Sequence, residues 1–186
     1  TLSYTAPRAV TLDLSGEVLD ARSLLKQDKK AEYDGPALSA KVNVQKLITH
    51  GEYSIAPSQA YMEMLQNGDI TQFEMDGRTG EGEVYIRYKP GPDGSPSLRA
   101  EMSDAGAALK ALGLYENVQG GHLTVTGTSA DRVWRGNMTG NFLMKNFSVR
   151  KAPALAKLIS AMSLPGLGRL LGDQGLVFKK LTADFT

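Results

Sequence analysis

A chain of 186 residues, 41% hydrophobic and 22% charged, can bury an ordinary core, and its net charge of +1, with acidic and basic residues interspersed along the whole length, shows nothing like the basic stripe that nucleic-acid binding requires. The absence of cysteine removes disulfides, thiolate nucleophiles and Cys-based zinc sites. No run reaches the roughly 18 apolar residues of a membrane-spanning helix, and no signal-peptide pattern occurs.

In chain order, the text from Leu12 to Asp34 is mixed, with Asp20 placed to cap a short helix through Lys26 that turns Leu24 and Leu25 inward. Gly35-Pro36 breaks it. Val42 and Val44 then alternate with Lys41, Asn43 and Gln45, the period of a half-buried strand, and His50-Gly51 is a turn. Tyr53 to Gln66 and Asp69 to Arg78 flank Asn67-Gly68, a dipeptide that predicts a type I′ hairpin. Pro57 interrupts the first arm and predicts an edge position or a bulge.

Phe73 and Met75 share one face of the second arm. From Glu83 to Lys89, Val84, Ile86 and Tyr88 point one way while Tyr85, Arg87 and Lys89 point the other. A loop at Pro90 to Gly94 leads to a strand aligning Leu98, Ala100 and Met102. Ser103 or Asp104 caps a helix carrying Ala105, Ala108, Leu109 and Leu112, which Gly113 stops.

Gly120-Gly121 returns the chain to strands: Leu123 and Val125, then, after a turn near Ala130-Asp131, Val133 to Val149. Phe142, Leu143 and Met144 are consecutive, which predicts a bulge or a strand covered on both faces. Pro153 opens a second helix with Leu155, Leu158, Ile159 and Met162 as its stripe, and Pro165 a third with Leu167, Leu170 and Leu171. Gly175 to Phe185 closes the chain as a strand with Leu181, Ala183 and Phe185 on one face. The expected fold is α+β, mainly β: a curved antiparallel sheet with two or three short amphipathic helices in the C-terminal half. Residues 1–102 read as mostly hairpins, and 103–186 as helix, strand, helix, strand.

Catalytic chemistry finds little to work with. His50 and His122 are remote from each other in sequence and read as a loop residue and a strand-opening surface residue. There is no nucleophile elbow and no phosphate-binding loop, and Gly77 to Gly82 joins two strands instead of opening a helix. Asp69, Glu74 and Glu81 fall at turns or on outward faces. Seven methionines are generous for this length; they fill cores, and they also line surfaces that accept variable apolar partners. We expect no enzyme, no metal and no cofactor.

One block carries a family likeness. Asp104-Ala-Gly-Ala-Ala-Leu-Lys-Ala-Leu-Gly-Leu-Tyr115, then Gly120-Gly-His-Leu123, resembles a block of the AsmA-like family in its YhdP-type branch. Phe147-Ser-Val-Arg-Lys-Ala-Pro153, Leu155-Ala-Lys-Leu-Ile-Ser160, Ser163-Leu-Pro-Gly-Leu167, Gly175-Leu-Val-Phe178 and Leu181-Thr-Ala-Asp-Phe185 continue it in order. Residues 1–96 carry no matching motif.

The resemblance implies a non-enzymatic segment of a large protein anchored in the inner membrane and spanning the periplasm of a Gram-negative bacterium. The anchor and further strands would lie outside this chain, with the rest of the parent protein joined at both ends. It also implies a long apolar groove that moves phospholipids toward the outer membrane. On that reading phospholipid acyl chains meet Val42, Val44, Phe73, Met75, Val84, Ile86, Leu123, Val125, Met138 and Phe142. The competing expectation is a closed β-sandwich serving as a structural or docking module without a lipid site.

Overall fold

The computed structural model describes residues 8–25, 33, 35–92, 94–129, 137–150 and 176–186. They form one open, curved sheet of ten strands. In chain order these are β1 (Ala9–Asp20), β2 (Ala37–His50), β3 (Tyr53–Ile55), β4 (Ser58–Met64), β5 (Ile70–Thr79) and β6 (Gly82–Pro90). They continue with β7 (Pro96–Met102), β8 (Val118–Ser129), β9 (Met138–Val149) and β10 (Leu176–Phe185). A single helical turn, α1 (Arg22–Leu25), comes after β1, and the seven-residue helix α2 (Ala105–Ala111) lies between β7 and β8. Strand order across the sheet is β1-β2-β4-β5-β6-β7-β8-β9-β10, with β3 also on β2. The mainly-β expectation therefore holds, and the described residues make one sheet, not the two of a sandwich. The expected helices from Pro153 and Pro165, the turn at Ala130-Asp131 and the strand start at Val133 lie outside the described residues.

Three local expectations are corrected, and a fourth is decided between its two alternatives. The first concerns Ala9 to Asp20, a twelve-residue edge strand that pairs β2 in parallel, so the sheet is not wholly antiparallel. Parallel neighbours need a crossover of a dozen or more residues, and the stretch from Ala21 to Pro36 supplies it. Asp20 does cap α1, because its carboxylate accepts the Arg22 N–H at 3.1 Å.

Asn67-Gly68 makes a hairpin, but not a type I′ turn. Gly68 alone has positive φ there, its N–H donates to Leu65 C=O at 2.9 Å, and Leu65 N–H donates to Asp69 C=O at 2.8 Å. The Asn67 side chain settles the loop by accepting the Asp69 N–H at 3.1 Å and donating to the Asp69 carboxylate at 2.7 Å.

Pro57 sits neither on an edge nor in a bulge. It separates β3 from β4, both of which pair β2 on the same side with an unchanged register, Leu47 opposite Ile55 and Val44 opposite Ser58. Phe142, Leu143 and Met144 run through unbroken ladders to β8 and β10, so no bulge occurs. Leu143 turns to the opposite face, where it is half-buried.

The helix α2 matches its expected signals. The Asp104 carboxylate accepts the Ala107 N–H at 3.0 Å, and Gly113, with φ of 67°, ends the helix. The Thr49 hydroxyl of β2 donates to the Ala111 carbonyl and ties the helix end to the sheet. Ala105, Ala108 and Ala111 are buried, joining one core cluster around Val84, Met102, Leu123 and Met144 and another around Val44, Leu47, Ile55 and Met75.

Candidate functional site: a two-faced sheet

Over most of each strand, period-two alternation in matched register gives the sheet two unlike faces. It slips at Gln45-Lys46, Gly120-Gly121, Lys145-Asn146 and Lys179-Lys180, past which Leu47, Val118, Phe147 and Phe178 join or pack on the apolar core. On one face, three rows cross all nine strands of the path without a lapse. The first runs Leu12, Ala40, Met62, Phe73, Tyr88, Leu98, Gly127, Gly140, Phe185. The second runs Leu14, Val42, Ala60, Met75, Ile86, Ala100, Val125, Phe142, Ala183. The third runs Gly16, Val44, Ser58, Gly77, Val84, Met102, Leu123, Met144, Leu181. None of these residues carries a charge, and the polar groups among them are the Ser58 hydroxyl and the Tyr88 phenol.

The rows differ in what covers them. The third passes through the core shared with α2 and is buried from Val44 to Met144, apart from half-buried Gly77. The first and second leave Val42, Met62, Phe73, Ile86, Leu98, Val125 and Phe142 half-buried. At the two edges the face opens fully: Leu14 is 37% exposed and Leu181 45% exposed.

Nine of the ten sequence-predicted residues fall on these three rows, and Met138, paired with Ser129, lies on the same face beyond the first row. The structure thus brings all ten to one face. It also divides them. Val44, Met75, Val84 and Leu123 are core residues packed by the protein itself, whereas Val42, Phe73, Ile86, Val125, Met138 and Phe142 keep part of their surface open. Leu12 and Leu14 on β1 and Leu181 on β10 are the exposed apolar residues of the face that sequence reasoning missed, whereas exposed Val18 pairs with Lys46, away from the core that its neighbour Leu19 joins. The alternation of Val10, Leu12 and Leu14 with Thr11, Asp13 and Ser15 was the signal that could have found the first two.

The opposite face is polar and carries hollows of its own. One of about 520 Å³ is lined by Lys41, Asn43, Gln59, Tyr61, Glu74 and Asp76, with the β2 and β4 backbone at Val42 and Ala60. Beside it Arg87, 17% exposed, reaches the lining carboxylates Glu74 at 3.3 Å and Asp76 at 2.5 Å, donates to the Met75 and Ile86 carbonyls, and lies 4.0 Å over the Tyr85 ring. Of the carboxylates expected at turns and outward faces, all three are so placed, although Asp69, which closes the turn after Leu65, is buried. His122 is exposed opposite Lys145, and His50 Nε2 lies 3.6 Å from Glu116. No cluster of three or more metal-ligating side chains occurs among the described residues.

In physical terms the fold defines a class: an open amphipathic β-sheet with a short helix seated at one end of its apolar face. Comparison with protein-family models, with curated proteins and with solved structures finds no match to this chain.

Proposed function

We propose that the chain is a non-enzymatic segment of an inner-membrane-anchored periplasmic protein whose apolar face forms a groove for phospholipid acyl chains, serving lipid passage between inner and outer membranes. One observation carries the reading: three charge-free rows extend from the β1 edge to the β10 edge, and two of them stay incompletely covered. An acyl chain left in water costs about 0.8 kcal/mol per CH₂. Half-open side chains such as Val42, Phe73, Ile86 and Val125 could share that surface with hydrocarbon. Four of the ten lining candidates are occupied in the core, so the lipid-facing set reduces to the half-buried residues of the first two rows, Met138 and the edge residues.

Both edge strands are long, and β1 is exposed along almost all of its length. Strands of the parent protein added to either edge would prolong the same rows. The likeness to the AsmA-like family supplies the compartment, the anchor and the lipid.

Native mass spectrometry of the chain expressed in bacteria tests the reading. Bound phospholipid is expected, and a charge at the open position Leu14 or the half-buried position Val125 should remove it while the thermal melt persists. A wild-type chain that carries no lipid, or lipid loss only in variants that unfold, contradicts it.

A further inference from the structure

We propose that the polar face carries a second site, a trough across β2, β4, β5 and β6 that binds a short, uncharged, linear oligosaccharide. This goes beyond the lipid reading and uses the other side of the sheet.

The shape comes first. The hollow of about 520 Å³ is joined, through shared Gln59 and Asp76, to a second of about 310 Å³ that extends to Glu83 and Tyr85. Small-molecule sites have volumes in this range, roughly 300–1,000 Å³. Together they cross three inter-strand spacings, about 14 Å at roughly 4.8 Å each. A trough that runs across strands in this way fits a chain of rings better than one ring.

The chemistry comes second. Lys41 and Arg78 of the lining, with Arg87 paired to Glu74 and Asp76 beside it, offset Glu74, Asp76 and Glu83, so a ligand of either net charge gains nothing from the trough as a whole. Lys41, Asn43 and Gln59 make no side-chain hydrogen bond or ion pair with the described residues, so their donors and acceptors are free for a guest. Amides both donate and accept, and carboxylates accept from two directions, which suits neighbouring hydroxyls that do both. Tyr61 is half-buried in the wall with its hydroxyl bonded to Glu63 and 3.5 Å from Ser39 Oγ, which fixes the ring as an apolar surface for sugar C–H groups. All these groups stand on strands, and Arg87 clamps β5 to β6 beside them, so the site is held rigid.

The test is calorimetric titration of the whole chain with cellotetraose, maltotetraose and tetra-N-acetylchitotetraose, with tetragalacturonate as a charged control. At least one neutral tetrasaccharide should bind with a Kd of about 1 mM or tighter. Asn43→Ala with Gln59→Ala should weaken it about tenfold or more, while Thr126→Ala, on the same face outside the trough, should not. Amide shifts of the wild-type chain on saturation should map to β2, β4 and β5, a readout that survives if the double variant fails to fold. No binding by any neutral probe, preference for the charged control, or shifts confined elsewhere overturns the proposal. None of these results bears on the apolar face.

Discussion

Gly106 of α2 lies against Gly120 of β8 so closely that a Cβ on Gly106 would come within 2.8 Å of the Gly120 nitrogen, the Gln119 Cα and the Val118 carbonyl. All three obstacles are backbone, so no side chain can swing aside. Alanine is the better helix former, yet Gly106→Ala is expected to destabilise the fold by about 1–3 kcal/mol through overpacking. Urea unfolding of the variant checks this, and a midpoint equal to or above the wild type would show that α2 is not seated where its contacts place it.

The Arg87 guanidinium satisfies two carboxylates and two carbonyls at once, at 17% exposure. Arg87→Ala leaves Glu74 and Asp76 facing each other's charge without compensation. A loss of about 2 kcal/mol is expected, moderated because Asp76 is half open to solvent. Arg87→Lys restores charge without the planar fork and should recover only part of the loss in the same unfolding assay.

Burial, and secondarily the charge of Asp69, hold the Tyr88 phenol above its ordinary value. The folded state therefore keeps this proton more tightly than the unfolded chain. The associated stability is fully present below the unfolded pKa of about 10 and disappears as pH climbs through the folded value. Unfolding midpoints measured from about pH 9 to pH 11 should fall more steeply for the wild type than for Tyr88→Phe. Parallel curves would show that Tyr88 does not couple to folding.

Leu123 and Leu14 share the third and second rows but not the same surroundings: Leu123 is 3% exposed and Leu14 37%. Leu123→Ala should cost about 2–4 kcal/mol, and Leu14→Ala within about 0.5 kcal/mol. Equal costs in denaturant unfolding would mean that the β1 edge is covered in solution.

Much of this arrangement is legible in the residues, and the rest is hidden for definable reasons. The alternation of Val84, Ile86 and Tyr88 with Tyr85, Arg87 and Lys89, and the Asp104 cap with the Gly113 stop, are local signals that survive folding unchanged. That Val42, Met75, Ile86, Val125 and Phe142 share one row emerges once registers are known, because each strand alone announces its two faces. Which of them become core does not emerge that way. Val84 and Val125 have the same pattern, and only the seating of α2 separates them. The parallel partnership of β1 with β2 was equally hidden, since pairing direction leaves no trace in alternation. The trough on the polar face draws its lining from β2, β4 and β5 together, which no single strand records.

The central claim is that hydrocarbon meets one face of this sheet and not the other. Val125 and Thr126 are adjacent in β8 and point to opposite faces. A photo-crosslinking residue placed at each in turn, in protein made in cells labelled with radioactive phospholipid precursor, reads that difference directly. The account predicts labelled lipid captured from position 125 and none above background from position 126. Equal capture from both, or none from either while the protein remains folded, would contradict it.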